Sequence, residues 1–537
     1  MNHSDFLPAA NPPLSDLKSC DAWLSQATLA DGRQACRALL SLLDELDDAP
    51  PPHAAYLGIL ERLRPAVFAS VEQQEKKFLG KSLPLGEAEE SAFNQVCDLW
   101  MALQRAYRRL LNAAFKDPRA GLDAAQALLA LRPLECIAEL IGAHLLARRE
   151  IDDDVWHWLH DAWAQAETRG LEDAPVNTRW AHAHDGTPCP ATCTDAYVWP
   201  LLLHLANPYG LPPRELVWAR RWAQRWAHKA QLSRYAKHGG FAVDLSAGCG
   251  LTWMDAARAG GPVRFVQAGR IARSLRKRAE LLQDGALPAE LGLGRDCTFP
   301  AAVELLMSLA SCWSENPAPR QFPRRATTTT TRVLSGMAGI HFALGGRLAS
   351  PAAQPWDYSR HDVDQIHVFQ RAVDAAARHA QQSAHSAPSA AESWQALDES
   401  ANGFRLRRSG QGSRMAHRQL IALLPQGARQ LILCQVRWLR QGPDRALTIG
   451  TRALPGLPQC CVVRVPSPDK IRREPAFPAF LLPIATGLPP SLVLPAGWYQ
   501  NERILQLEFE HKTMSIRLSA LLGRGYDFER VNFAVTG

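Results

Sequence analysis

The 537-residue chain has little of what marks several large classes of protein. No apolar run reaches the ~18 residues that cross a bilayer, so no transmembrane helix is expected. The opening MNHSDFLPAANPP has neither a cationic stretch nor an apolar segment, and it does not read as a secretory signal. Cysteine is sparse, 12 in all, and Cys97, Cys434 and Cys461 fall on apolar faces. They read as reduced core thiols rather than a disulfide framework. Charge of one sign is also lacking: 60 Lys and Arg against 53 Asp and Glu leave a net +7, far from the dense basic surface of a DNA-coating protein. No G-x-S-x-G, H-E-x-x-H or paired-carboxylate arrangement stands in a context that supports chemistry. The expectation is therefore a non-enzymatic, cytoplasmic protein with no metal and no cofactor. What is present is core material, 47% hydrophobic residues with 16 Trp and 17 Phe, in a chain long enough for two to four domains.

The first half has helical texture. Leu39, Leu40, Leu42, Leu43 and Leu46 form one stripe between Cys36 and Leu46, stopped by Asp47-Asp48 and Pro50 to Pro52. From Ala92 to Phe115, Val96, Leu99, Leu103, Tyr107 and Leu110 recur every three or four residues. Two further helices are expected over Leu122 to Leu146, separated at Pro133, then helices over Val155 to Glu167 and Thr194 to His238, ended by Gly239-Gly240. No repeat signature recurs, so an irregular bundle is expected over a solenoid. Beyond it come a short strand (Phe241 to Leu245) and helices at Ile271 to Leu282 and Ala301 to Trp313. From Thr327 the period changes to alternation, as in Ile432, Cys434, Val436 and Trp438. The stretch from Ser350 to Glu392, with a helical pattern at His361 to His379, reads as an insertion in this β region.

Several familiar patterns are weaker than they look. Gly80-Lys81-Ser82 resembles the end of a phosphate loop, but Glu75 stands where that motif needs glycine, so a helix C-terminus fits better. Val243 to Gly250 resembles the glycine turn of a methyltransferase, yet Ser246 replaces its first glycine and no βαβ pattern follows. His182, His184, Cys189 and Cys193 are zinc-ligand types at spacings that fit no strong zinc pattern. His157, His160 and Asp161 are helical neighbours with a structural expectation. Trp218, Trp222 and Trp226 beside Arg220, Arg221 and Arg225 describe a core helix with a solvated cationic face more readily than a nucleic-acid surface.

Two short segments in the β region carry more. Arg320-Gln-Phe-Pro-Arg324-Arg325 precedes the strand Thr327 to Leu334, and Asp398-Glu-Ser400-Ala-Asn-Gly403 leads into Phe-Arg-Leu-Arg407. Together they spell R-x-x-x-R followed by D-x-S-x-x-G. Arginine offers a planar fork of donors for a phosphate or the guanine O6/N7 edge, and its flat face stacks on a purine. A carboxylate accepts from guanine N1–H and N2–H, a serine adds a small hydroxyl, and glycine lets the backbone approach. The pattern resembles the PilZ domain, a bacterial receptor module for cyclic di-GMP. LILCQVRWL (Leu431 to Leu439) and ALTIGTRAL (Ala446 to Leu454) are similar to its late barrel strands. LGKSLPL, PAELGLG (Pro288 to Gly294) and the closing FLLP, SLVLPAGWY and YDFERVNF are similar to a long proteobacterial group with an atypical C-terminal PilZ domain. Arg324 and Asp398 stand 74 positions apart, further than in the compact domain, and closing such a loop costs only logarithmically more.

The resemblance implies a multidomain α + β protein: a helical domain over residues 1–240, a mixed connection over 241–319, a PilZ-like antiparallel β-barrel over 320–455 with its insertion at about 350–392, and a second small β domain over 456–537. In the last, Ile504 to Glu510 and Thr513 to Leu518 should form a hairpin turning near His511-Lys512. It further implies a site made of Arg320, Arg324, Arg325, Asp398, Ser400 and Gly403. The function it implies is a cyclic di-GMP effector that relays ligand level to a protein partner through the helical half, in motility, pili, attachment or biofilm control. The alternatives are a single-stranded nucleic-acid binder, a methyltransferase-like enzyme built around Val243 to Gly250, and a scaffold whose barrel has lost its ligand. No stable nucleic-acid partner is expected.

Overall fold

The computed structural model describes residues 14–176, 191–314, 323–346, 391–466, 475–484 and 487–536. The His361 to His379 helix, Arg320 and the His182, His184 and Cys189 cluster lie outside them. The chain divides into two compact units, one built from residues 1–81 and 85–319, the other from 82–84 and 320–537.

The first unit holds α1 (Leu17–Gln26), α2 (Gly32–Asp48), α3 (His53–Phe78), α4 (Glu87–Lys116), α5 (Gln126–Leu146), α6 (Asp153–Thr168), α7 (Cys193–Leu205) and α8 (Pro213–Trp226). Asp31 starts α2 by accepting the Arg33 and Gln34 N–H groups, which frees Leu39, Leu42, Leu43 and Leu46 to bury as one stripe. Residues 126–146 form one helix rather than two, with Pro133 inside it. An interior proline costs a helix ~3 kcal/mol, but this helix is buried on nearly every face, so packing outweighs the lost hydrogen bond. The helix expected to reach His238 ends at Trp226, and Gln231–Ser233 becomes the first strand, β1. With β2 (Gly240–Asp244), β3 (Thr252–Met254) and β4 (Val263–Gln267) it forms an antiparallel sheet in the order β1-β4-β2-β3. Helices α9 (Gly269–Gln283) and α10 (Ala301–Cys312) complete the unit.

The second unit contains two closed antiparallel barrels. Its elements are β5 (Arg325–Ala326), β6 (Thr330–Ser335), α11 (Met337–Ala343), β7 (Glu392–Ser400), β8 (Gly403–Arg408), β9 (Leu420–Pro425), β10 (Ile432–Gln441) and β11 (Leu447–Ala453). They run in the order β5-β7-β6-β9-β10-β11-β8, and pairing of β7 with β8 closes the ring. The second barrel is β12 (Gln459–Arg464), β13 (Phe477–Leu482), β14 (Ser491–Pro495), β15 (Ile504–Phe509), β16 (Lys512–Arg524) and β17 (Phe528–Val535). β15 and β16 form the expected hairpin, with Glu510 and His511 both at positive φ, as a two-residue turn requires.

The barrels share a core. Leu420 and Ala422 of β9 pack with Leu431, Leu433, Phe480, Leu482, Val493 and Phe528, while Ile421 and Leu423, of opposite parity, are also buried. The second barrel fills its own interior with Val463, Leu492, Leu494, Leu505, Leu507, Ile516, Leu518 and Val531.

Candidate functional site

The arginine leader and the Asp398 segment meet through strand pairing. β5 lies against β7 with Arg325 opposite Glu399 and Ala326 opposite Asp398. Immediately before β5, Arg324 donates from Nη1 to Asp398 Oδ1 at 2.7 Å. From the other side, Arg405 on β8 places Nε 2.8 Å from Asp398 Oδ2. The carboxylate is nearly buried, at 7% exposure, whereas the two guanidiniums remain roughly two-fifths exposed, at 36% and 42%. The result is an anion enclosed by two cations that each keep a free flank.

A β-bulge produces this arrangement. Ala396 faces Leu406, both buried, and normal alternation would send Asp398 inward as well. The register shifts between Ala396 and Asp398, so Leu397 is the extra residue and Asp398 comes opposite Arg405. The leader secures the bulge, because Thr327 N–H donates to the Leu397 carbonyl at 3.1 Å.

The same row continues across the sheet. Arg405 is opposite Gly450 on β11, and Gly450 is opposite Trp438 on β10. A Cβ on Gly450 would stand 2.0 Å from Trp438 Nε1, so the missing side chain makes room for the indole. Asp398, Arg405, Gly450 and Trp438 therefore stand in line over four strands, with the half-buried Trp438 beside the ion cluster. Local sequence pattern does not single out Arg405 or Trp438, since their adjacency depends on β8 pairing with β11 and on two bulges.

The remaining motif residues have different positions. Ser400 Oγ donates to the Gly403 carbonyl at 3.3 Å and closes the β7–β8 turn. Gly403 is needed by the barrel itself, because a Cβ there would lie 1.9 Å from the Thr451 carbonyl oxygen. Arg325 is exposed on β5, and Arg320 lies outside the described residues.

The weaker patterns resolve as structure. Gly80, at φ +71°, follows the end of α3 and packs on Pro213. Gly248 and Gly250 press on α6 and α7, where Cβ atoms would meet His157 and His204, and the sheet around them is antiparallel. His160 bridges the Tyr197 hydroxyl and the Cys249 carbonyl, and burial holds it below the ordinary histidine range. Trp218, Trp222 and Trp226 are buried, with Trp222 donating to the Leu293 carbonyl of the PAELGLG loop at 2.9 Å. The neighbouring cations are not solvated as expected: Arg220 pairs with Glu75 and Glu139, and Arg221 with Asp296. Buried indoles cannot stack on bases, which removes that helix as a nucleic-acid platform. All eleven described cysteines are free thiols. Among the described residues no group of side chains could hold a metal ion, and no helix is long and apolar enough to cross a membrane. Cavities of about 410 and 300 Å³ lie in the helical unit, one beside Trp100 and Arg108, the other beside Phe241 and Trp313. The arginine–aspartate motif lines neither, and occupies an open barrel face instead.

A helical unit followed by two closed antiparallel barrels, with an arginine-clasped aspartate on the first, is the multidomain α + β layout that the PilZ resemblance implies. Residues 18–237 match the family described as cyclic-di-GMP receptor FimW, N-terminal domain, and residues 461–536 match the FimW C-terminal beta-barrel domain. Together these cover more than half of the chain, which belongs to the FimW family. The cyclic-di-GMP receptor FimW of Pseudomonas aeruginosa is 24% identical over 362 residues, 64% of this chain and 56% of that relative. The match thus spans little more than half of the relative's length. The first barrel, where the motif lies, falls between the two matched domains.

Proposed function

We propose that this protein is a cytoplasmic receptor that binds cyclic di-GMP on the outer face of its first barrel and passes the signal to a protein partner through the helical unit. The observation that carries this reading is the clasp of Asp398 by Arg324 and Arg405, which joins two segments 74 positions apart in sequence. Each guanidinium has donors left for a phosphate or a guanine O6/N7 edge. Asp398, freed from one of them, can accept from guanine N1–H and N2–H. Trp438, along the same row, offers a face to a purine. The family match and the relative's name support the choice of ligand. Binding is the whole task, and no nucleophile or general base is needed. Output in motility, pili, attachment or biofilm follows from the PilZ resemblance.

The test is calorimetric titration with cyclic di-GMP, with GMP and cyclic di-AMP as controls. Saturable binding selective for cyclic di-GMP is expected. Arg324→Ala and Asp398→Ala should each weaken it by about 1.5–3 kcal/mol, the scale of a charge-assisted hydrogen bond. Unchanged affinity in both folded variants would remove the site.

A further inference from the structure

Beyond Arg405 and Trp438, the face of the first barrel carries arginines that nothing neutralises. Arg437 sits at the β10 bulge, and its Nη1 donates to Gln435 Oε1 at 3.3 Å. Gln435 is in turn the strand partner of Arg452 on β11. Arg452 adjoins the ion-cluster motif directly, because Thr451 abuts Gly403 and the next residue, Ala453, donates its N–H to the Asn402 carbonyl at 2.8 Å. Arg418, at φ +63°, donates its backbone N–H to Val436 and accepts from the N–H of Tyr526, in the β16–β17 turn of the second barrel. Arg530, on β17, donates from Nε to Ser491 Oγ at 2.9 Å.

Burial, followed by the guanidiniums of Arg418 and Arg452, depresses Arg437, and burial with Arg452 depresses Arg530. Arg437 therefore senses Arg418 and Arg452, and Arg530 senses Arg452 across the seam between the barrels. Among the described residues, none of the four makes an ion pair. The nearby carboxylates are committed elsewhere: Asp527 accepts the Leu420 N–H, while Glu529 accepts the Tyr499 N–H and pairs with Arg524. Four like charges held together without a counter-ion cost free energy that an anion of matching spacing would recover. A dinucleotide with two phosphates is such an anion, and its binding place begins one strand away.

We propose that a cyclic dinucleotide engaged at Asp398 lays phosphate against Arg437, Arg452 and Arg530, so that one ligand fastens the second barrel to the first. This inference rests on the cyclic di-GMP reading above. The test titrates the full chain with cyclic di-GMP for wild type, Asp398→Ala, Arg452→Gln, Arg530→Gln and Arg429→Gln, the last an exposed arginine in the β9–β10 turn. Arg452→Gln and Arg530→Gln should each lower affinity at least tenfold, with Arg429→Gln unchanged. Ligand should also slow amide exchange in β17 of wild type but not of Arg530→Gln. Ligand-free Arg437→Gln and Arg452→Gln should melt at or above the wild-type temperature, because each removes repulsion.

Wild-type affinity in Arg530→Gln, with binding lost in Asp398→Ala, would overturn the bridging role and leave the receptor reading standing. An equal loss in Arg429→Gln would reduce the effect to general charge and overturn it too. So would lowered melting temperatures in both ligand-free variants, since that marks a structural role. No binding by folded wild type would overturn both readings together.

Discussion

Arginine does opposite work in the two units. In the helical unit Arg64, Arg132 and Arg220 are consumed by carboxylates in the core. Arg132 bonds Glu61 through Nε and Nη2 at 2.8 and 2.6 Å and Glu135 through Nη1 at 2.8 Å, while Arg64 reaches Glu135 at 2.9 Å. In the barrel unit, Arg418, Arg437, Arg452 and Arg530 crowd together without a carboxylate, and the buried carboxylate beside them, Asp527, has only backbone N–H for company. Net charge could not separate the two uses. A paired buried cation is part of the fold, whereas an unpaired cluster at a surface seam holds positive charge at a definite spacing that the chain itself does not answer.

The sharpest way to break this contrast is to unpair an arginine where pairing is structural. Arg132→Leu leaves Glu61 and Glu135 without their shared cation, and Arg132 is only 2% exposed. A loss of about 3–5 kcal/mol in the denaturant unfolding of the helical unit is expected, with little change in the barrels. The next effect lies in the carboxylate that no arginine serves. Burial raises Asp527 from 3.8 to about 7, so the folded form holds its proton over a range where the unfolded chain has released it. Its contribution is fully present below pH 3.8 and is lost as pH rises through about 7. Within that window the loss is about 1.4 kcal/mol for each tenfold fall in proton concentration. Asp527→Asn should flatten the pH dependence of barrel stability between about pH 4 and 8, measured by urea midpoints. Identical pH profiles in both proteins would exclude Asp527 as the source. The smallest effect tests the row itself. Gly450→Ala forces Trp438 aside and should cost about 1–3 kcal/mol of barrel stability. It should weaken cyclic di-GMP binding while GMP remains without measurable affinity.

The same contrast, between what is local and what is tertiary, governs how much of the molecule is legible in its sequence. The leucine stripe of α2, the long period of α4 and the alternation of β10, β15 and β16 are local signals, and the corresponding elements form. Pro133 misleads because a proline's cost is local while the packing that absorbs it is tertiary. Gln231–Ser233 escapes a reading by pattern because three residues are too few to show a period. At the site, Arg324 and Asp398 are legible as a motif, and the structure places them in contact. Arg405 stands just past that motif with no role readable from its position, and Trp438 and Arg452 lie in ordinary strand sequence. Their proximity arises from register between strands far apart in order, which no window of sequence contains.

The bulge at Leu397 makes the aspartate's position a matter of counting rather than of chemistry. Leu397 itself contributes no group to the ion cluster; its value is that it occupies one place in the strand. Substituting it would alter a side chain and keep the bulge. Deleting it would remove the bulge yet leave Asp398 next after Ala396 and still facing outward. Taking Leu397 into the regular pairing, by contrast, would turn Asp398 toward the barrel interior with every motif letter still present. The same arithmetic governs sequence comparison. An alignment gap placed one column away in this strand would match the outward-facing Asp398 to a core position of a relative, although a relative without the extra residue would present the same face.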